Sequence, residues 1–422
     1  MLETIKNAWK VKEIRNKILF TIFIIAIFRI GSVIPVPYID VAALKSSGTT
    51  NEFFSYLSIL TGGGLEYGAI FAMSITPYIN ASIIIQLLCV AIPYLERLSK
   101  EGEEGQKKLA TITRYTTVIL ALIQGIAYFF YLKASNYLNV TKGVWFAAIV
   151  IVLSFTAGSA IVMWLGEQID VKGIGNGISI LLFAGILSRG PQAFQALWYY
   201  WKELDRYFAV IGIVIAFLLI IAFIVWMTNA ERRIPVQYAK RVVGNKMYGG
   251  QNTHIPIKVN MSGVMPVIFA SSILMLPTMI LSFKSNTTSS FAKFLALFST
   301  RGAFYAVIYF IMIIAFAYFY ATIQFNPVEM ANNLRKNGGA IPGIRPGKPT
   351  SDFISKILSR ITLMGALFLS VIAILPIIVG SVGGINISLG GTSVLIMVGV
   401  ALDTVQNLES QMMMRHYKGF LD

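Results

Sequence analysis

Histidine and cysteine are almost missing from this chain, with two of the first and one of the second among 422 residues. The lone Cys89 sits in an apolar run, can form no internal disulfide and reads as inert packing. His254 falls in a polar loop and His416 in the C-terminal tail, and the chain contains no HExxH, GxSxG or Walker pattern. A metalloprotease, a serine hydrolase and an ATPase therefore lack their parts. No catalytic residue, metal site or cofactor is expected.

Charge is scarce as well. Only 13% of residues are charged, where a soluble domain carries about a quarter. With 56% hydrophobic residues and a mean hydropathy of +0.70, lipid must wet much of the surface. Acidic residues are the scarcer sign, 19 against 35 Lys and Arg, which favours an anionic partner: phospholipid head groups, nucleic acid or acidic protein. Within the apolar stretches the principal ionisable groups are Arg29, placed to snorkel or pair, and Asp403, placed to face the interface. No membrane-buried carboxylate pair stands out, so a proton- or sodium-coupled carrier is poorly provided.

What is present is a series of long apolar runs. A helix rising 1.5 Å per residue needs about 20 such residues to cross a bilayer. Ten segments qualify: 18–34, 74–93, 114–132, 145–165, 175–189, 208–227, 264–283, 303–324, 361–380 and 391–408. Residues 1–17 form a basic N-terminal segment that leads into a retained first span, since no small-x-small cleavage site follows. Connections on one side of the membrane, with both tails, hold 25 Lys and Arg, and those on the other side hold 9. The positive-inside rule then places both termini in the cytoplasm.

Ten spans divide into an N-terminal half (18–200) and a C-terminal half (201–410), followed by a tail at 411–422. An odd number of spans per half requires any repeat between them to be inverted. Pro77, Ile79, Ala81, Ser82 and Ile84 of the second span match Pro266, Ile268, Ala270, Ser271 and Ile273 of the seventh in register. Ile, Ala and Ser are common in membrane helices, so the match fits either composition or true symmetry mates flanking a central path. Small residues here suit a seam whose helices approach without interlocking.

Four further stretches stand out. Gly62, Gly63 and Gly64 open a segment, 62–72, too interrupted to span a bilayer. The three glycines suit a hinge. The segment reads either as a short re-entrant helix, allowed where protein or a cavity surrounds it, or as an ordinary outer loop. Residues 167–179, with Gly173, Gly175 and Gly177, read as a tight turn into the fifth span. The long cytoplasmic loops, 228–262 and 325–360, are basic and rich in turn residues. They either set topology alone or form a docking surface for a large anionic body.

Four stretches, 77–88, 164–179, 235–241 and 341–347, resemble the SecY family of protein-translocation channels, and the resemblance extends over essentially the whole chain. It implies an all-α polytopic membrane protein of ten helices in two inverted five-helix halves, with a re-entrant plug. It implies a channel that passes unfolded secretory polypeptides and releases signal sequences and membrane helices sideways into lipid, in a bacterial plasma membrane. Carried over by motif, an aliphatic pore ring falls on Ile75, Ile79, Ile178, Leu182, Ile268 and Ile396, and the plug on Gly62, Gly63, Gly64, Leu65, Ala69 and Ile70. The lateral gate falls on Pro77, Ser82, Gln86, Asn176, Ser271 and Ser272. Docking of the ribosome and the motor SecA falls on Arg232, Arg233, Lys240, Arg241, Arg345 and Lys348. Companion subunits SecE and SecG, signal sequences and anionic lipid complete the implied partners, with energy from a partner's ATP hydrolysis or from translation. Leu182 stands where the ring usually carries isoleucine, and Ala340 where an aromatic is common. The competing reading is a five-plus-five secondary carrier of a small solute, which predicts charged or carbonyl ligands at the midplane.

Overall fold

The computed structural model describes residues 9–46, 58, 61–140, 143–202, 207–238, 241–243, 246–248, 252–261, 263–282, 303–383 and 391–418. A helix occupies each of the ten expected segments. In chain order the helices are α1 (Lys12–Gly31), α2 (Val41–Ser46), α3 (Thr76–Ala91), α4 (Pro93–Lys100), α5 (Glu103–Ala134), α6 (Val144–Lys172) and α7 (Gly177–Leu187). There follow α8 (Gly190–Lys202), α9 (Tyr207–Thr228), α10 (Met265–Ser282), α11 (Ala303–Gln324), α12 (Pro327–Lys336), α13 (Lys348–Gly383) and α14 (Gly391–Lys418). Among the described residues, six helical stretches are long and apolar enough to cross a membrane, with α7 and α8 (Gly177–Lys202) forming one of them and α11 and α12 (Phe304–Lys336) another. The pair α3 and α4, bent by 103°, makes a seventh. The bend has a local cause: Ile92 precedes Pro93 and takes the extended conformation, φ −109° and ψ 115°, that a following proline favours. In α1 and α14 the helix runs on past the apolar stretch into charged residues, Lys12 to Lys17 in one and Glu409 to Lys418 in the other.

The two halves pack alike. In the first, α3 lies on α5, α5 on α6, α6 on α7, and α1 on α6 and α7. In the second, α10 lies on α11, α11 on α13, α13 on α14, and α9 on α13 and α14. Each contact of one half thus has its counterpart in the other, as a five-helix repeat requires. The halves meet where α7 packs against α14, the last span of each.

The long loops 228–262 and 325–360 hold strands that hydropathy does not announce: β1 (Glu231–Tyr238), β2 (Arg241–Val243), β3 (Lys246–Tyr248), β4 (Asn252–Lys258) and β5 (Gly339–Ala340). β1 pairs antiparallel with β4, Ile234 facing Ile255, and with β5, Gln237 facing Ala340. One three-stranded sheet therefore joins both loops, in the order β4-β1-β5, while β2 and β3 pair as a separate ribbon. Ile234 and Val236 of β1 are buried with Ile257, Leu334, Ile341, Ile354 and Leu358, so the sheet, α12 and the N-terminal end of α13 share one small core.

A glycine admits a close approach at the turn between α6 and α7. Asp170 Oδ1 accepts the Gly177 N–H at 2.7 Å, and Asn176 Oδ1 caps α7 by accepting the Ser179 N–H at 3.0 Å. A Cβ on Gly177 would lie 2.0 Å from the Gly166 carbonyl oxygen, whereas one on Gly190 would meet nothing within 4 Å. Gly177→Ala should therefore destabilise the protein by about 1–3 kcal/mol through overpacking, lowering the unfolding midpoint in detergent. Gly190→Ala should leave that midpoint in place, and equal effects of the two would refute the close-packing argument.

Candidate functional site

The six aliphatic residues singled out above come from four separate stretches of chain and meet in one apolar cluster. Ile75 and Ile79 enter from the start of α3, Ile178 and Leu182 from α7, Ile268 from α10 and Ile396 from α14. Ile75, Ile79, Leu182 and Ile396 are buried, and Ile178 and Ile268 are half-buried against them. Both halves contribute, so the cluster is where the N-terminal and C-terminal sets of helices touch at their centre.

The helix starts explain how α3 and α10 present these side chains. Pro77 and Pro266 are each the second residue of their helix, where a missing N–H leaves no hydrogen bond unmade. In the same first turn the Ile79 N–H donates to the Ile75 carbonyl at 3.0 Å, and the Ile268 N–H to the Val264 carbonyl at 3.2 Å. In the register that matches Pro77 to Pro266, the mate of Ile75 is Val264. Val264 packs partly buried against the cluster and lies 3.1 Å from where a Cβ on Gly399 of α14 would stand. Motif carry-over missed this residue, and the internal repeat taken in full would have found it.

The glycine-rich segment is neither a helix nor a slack loop. Residues 61–75 run as consecutive turns, with Gly63, Gly64, Leu65 and Ala69 buried and Gly62 and Ile70 partly so. Gly62 and Gly63 adopt left-handed φ values of +65° and +91°. A Cβ on Gly62 would stand 2.3 Å from Ser188 Oγ and 2.6 Å from Arg29 Nη1, so the expected hinge is tightly packed. Its backbone is satisfied locally. The Ala69 N–H donates to the Gly64 carbonyl at 3.0 Å, the Ile70 N–H to the Ile34 carbonyl at 3.0 Å, and Tyr128 Oη to the Leu65 carbonyl at 3.1 Å. Phe71 belongs to the central cluster, and Ile70 packs partly buried against both it and a second cluster that contains Leu65, Met73, Tyr128 and Phe155. The segment thus lies directly against the aliphatic meeting point.

Two arginines flank it. Arg189, at the end of α7, donates from Nη2 to both Ser58 Oγ and Glu66 Oε1, and Ser58 Oγ donates in turn to Glu66 Oε1 at 2.7 Å. Only 8% of the Arg189 side chain is exposed, so this ion pair is largely shielded from screening. Arg29 is half-buried, and its Nη1 is buried with no hydrogen-bond partner among the described residues. Burial alone hid these contacts from sequence reasoning, because Glu66 and Arg189 are 123 positions apart.

At the candidate lateral gate, α3 packs chiefly on α5 and α10 on α11, each within its own half. Pro77 and Ser271 are buried, and Ser82, Gln86 and Ser272 are half-buried. The polar groups bond within their own helices: Gln86 Nε2 to Ser82 Oγ at 3.3 Å, and Ser271 Oγ to the Ile268 carbonyl at 2.9 Å. Asn176 departs from expectation. Besides capping α7, it lines a polar cavity of about 300 Å³ with Ser179, Asp403, Thr404, Gln406, Asn407 and Ser410 of α7 and α14. Its neighbours there are on α14, not α10.

Arg232 and Arg233 are both exposed at the start of β1, on opposite faces of the strand, and Arg345 and Lys348 are exposed on the turn leading into α13. The Arg345 carbonyl accepts Thr350 Oγ1 at 2.8 Å, which fixes that turn. Arg241 begins β2, and Lys240 lies outside the described residues.

Comparison with known proteins agrees with this architecture. The SecY family model matches residues 69–405. A protein translocase subunit SecY from Bacillus subtilis strain 168 is 45% identical, and one from Streptomyces scabiei 44% identical, each alignment covering 100% of both chains. A solved structure described as that of a protein conducting channel superposes with a TM-score of 0.64 at 17% identity, covering 94% of this chain and 92% of that one.

The Arg189–Glu66 pair is testable by its coupling. Glu66→Gln strands a mostly buried cation, which costs about 3–5 kcal/mol when burial is complete. With Glu66 29% exposed, a smaller loss of about 1–3 kcal/mol is expected, read as a lower unfolding midpoint. Adding Arg189→Gln to Glu66→Gln should cost less than the sum of the two single changes. Strict additivity in that cycle would show the pair to be uncoupled.

Proposed function

The chain belongs to the SecY family, and from that membership we propose that it is the channel subunit of a protein translocase, passing unfolded polypeptides along the axis where its two halves meet. The observation that carries the reading is the convergence of Ile75, Ile79, Ile178, Leu182, Ile268 and Ile396, from four distant segments, in one apolar cluster. Such a constriction sheds water and blocks ions, yet offers a sliding chain no hydrogen bond to hold it. Its side chains seal by contact rather than by specific geometry, so they can part and close again around many sequences.

The turns of 61–75 act as the plug. They abut the constriction through Ile70 and Phe71 and are held by Arg189 through Glu66 and Ser58. The seam between α3 and α10 is the lateral gate, because each helix is packed within its own half and the two can separate without unpacking either. A transiting segment of about 20 apolar residues, each favouring lipid by about 0.3–0.6 kcal/mol, gains roughly 6–12 kcal/mol by leaving sideways. That gradient sorts membrane helices from secreted chain without a chemical step, and the subunit needs no catalytic centre of its own.

The sheet-bearing cytoplasmic unit, with Arg232, Arg233, Arg345 and Lys348 exposed, is the docking surface for the ribosome and for the SecA motor. Lys240 and Arg241 complete the basic stretch in sequence. SecE and SecG are the companion subunits and anionic lipid the surrounding partner. The Lys and Arg distribution, 25 against 9, supports cytoplasmic termini, and relatives from Bacillus and Streptomyces support a bacterial plasma membrane.

Ile79→Asn combined with Ile268→Asn should wet the constriction and raise resting ion conductance in planar bilayers, and a conductance equal to the parent's would remove both residues from the ring. Arg345→Glu should instead slow motor- and ATP-dependent preprotein import into proteoliposomes while leaving resting conductance alone. Import at the parent rate across a range of salt would exclude Arg345 from docking. Saturable uptake of a small solute by the parent vesicles, with no preprotein import, would overturn the channel reading in favour of a carrier.

A further inference from the structure

On the loop-bearing side of the aliphatic cluster, the two halves line a polar recess that neither the constriction nor segment 61–75 uses. Ile396, Val400, Asp403, Asn407 and Ser410 of α14 are spaced i, i+4, i+7, i+11 and i+14, so they form one stripe along the helix. Ile396 and Val400 belong to the apolar cluster. Val400, Asp403, Asn407 and Ser410 line a cavity of about 300 Å³ with Asn176 and Ser179 of α7. Val400 therefore borders both. Asp403 follows Ile396 by seven residues, about 10 Å along the axis. On α7, Ser179 adjoins Ile178 and precedes Leu182 by about one turn. Lys258 of β4 donates from Nζ to Gln406 Oε1 in the cavity wall at 2.7 Å, which fixes the side of the cluster that the recess occupies.

The recess offers hydrogen-bond acceptors around a single negative charge. Asp403 is exposed in it and is the one carboxylate among its lining residues. It has no ion pair or hydrogen bond among the described residues. The cation whose field reaches Asp403, Lys258, donates to Gln406 instead. Asn407 and Ser410, exposed one and two turns further along the stripe, add an amide and a hydroxyl oxygen. A lysine ammonium carries three donors and an arginine guanidinium five, with no acceptor on either, so both match such a wall. An anion would be repelled by Asp403. A metal ion is poorly served, because no three His, Cys, Asp or Glu side chains group together among the described residues. The volume lies at the low end for ligand pockets and admits one side chain rather than a folded segment.

Position completes the argument. A cationic side chain that enters an apolar cluster unpaired loses its water without compensation. A carboxylate two turns short of the cluster meets that charge while water still reaches both. We propose that the recess centred on Asp403 receives one lysine or arginine side chain of a polypeptide in transit, just before that position enters the constriction. The inference rests on the channel reading. Val400 lies against the apolar stem of the guest side chain while Asp403, Asn407 and Ser410 bond its head, so a basic position dwells here longer than a neutral one.

Import-competent proteoliposomes, with companion subunits, motor and ATP, provide the test. The channel carries Cys89→Ser and Ser179→Cys. A preprotein is stalled by a tightly folded C-terminal domain and has one cysteine beside a test position that holds Lys or Gln. A series of stall points one residue apart carries that position through the recess. With Asp403 present, the peak disulfide yield should be several-fold higher for Lys than for Gln. Asp403→Asn should bring the two yields together and Asp403→Glu should keep them apart, whereas a merely structural role for Asp403 would change both yields alike. Equal Lys and Gln yields with import intact, or a Lys excess that survives Asp403→Asn, would overturn the recess as a cation site and leave the channel reading in place. Absence of both crosslink and import would overturn the channel reading and this site with it. If Asp403→Asn fails to fold, acetylating the preprotein's lysine gives the same comparison on the unaltered carboxylate. The yield should then fall to the Gln level, and an unchanged yield would refute the pairing.

Discussion

Apolar contact between two separately packed halves is the interaction on which the rest of this molecule depends. Each half satisfies its own helix packing, α3 with α5 and α10 with α11, and the halves share the cluster around Ile79, Leu182, Ile268 and Ile396. Burial of aliphatic surface is non-directional and scales with area, at roughly 25 cal/mol per Å². Contacts of this kind can be exchanged for contacts with a transiting chain at little net cost, because one apolar neighbour replaces another. A hydrogen-bonded seam would behave differently, since each opened bond inside a low-dielectric site leaves an unsatisfied group costing about 1–3 kcal/mol. Two polar bonds at this seam conform to that logic: Gln86 bonds Ser82 and Ser271 bonds the Ile268 carbonyl, each within one helix, so parting the helices breaks neither of these two.

The turn segment 61–75 meets the opposite demand. Irregular backbone at membrane depth persists only where its N–H and C=O groups find partners in protein. Here they find them in the segment's own turns, in the end of α1 through Ile34 and Gly31, and in Tyr128. Close packing adds to this, since a Cβ on Gly158 of α6 would stand 2.1 Å from the Ile70 carbonyl oxygen. The segment is nonetheless fastened to α7 by one shielded ion pair. A buried pair contributes little net stability against its desolvation but is costly to half-break, so it acts as a register device more than as a glue. Arg189–Glu66 sets where the segment sits relative to α7, while the apolar clusters supply most of the energy that keeps it there.

Hydropathy and charge made most of the fold legible: all ten apolar segments are helical, and the pairing of Pro77 with Pro266 marks two helices that start the same way. The four stretches that carry the family resemblance led to side chains that the fold does bring together. What stayed hidden depends on contacts rather than on pattern. β1 reads as a basic, proline-containing loop, because only Ile234 and Val236 face inward and its partners lie some 20 and 100 residues away in the register of Ile234 with Ile255 and Gln237 with Ala340. Glu66 looked like one polar residue in a glycine-rich loop until Arg189 was placed beside it. Asn176 entered as a gate residue through the family resemblance alone, and no sequence pattern announced that its side chain caps α7. Val264 is conservative enough beside isoleucine that an identity count passes over it, although the repeat register assigns it directly.

The sheet that joins loops 228–262 and 325–360 changes how a force applied there would travel. Two separate flexible loops would absorb a push as local motion. Here β1 bonds strands from both loops, and its core is shared with α12 and the N-terminal end of α13, so a load at Arg345 or Arg233 would be borne by one packed unit. The foot of that unit is tied to the membrane helices. The Val259 N–H donates to the Ala230 carbonyl at 2.8 Å, and a Cβ on Gly365 of α13 would stand 2.5 Å from the Val259 carbonyl oxygen. Lys258 Nζ donates to Gln406 Oε1 of α14 at 2.7 Å. Gln406 stands ten residues after Ile396 on that helix, about 15 Å along its axis. α14 also packs on α7, which carries Ile178 and Leu182. The sheet-bearing unit is therefore linked through α14 to cluster residues of both halves. That linkage is the route by which an apolar cluster without charges or ligands of its own would respond to a load on these loops.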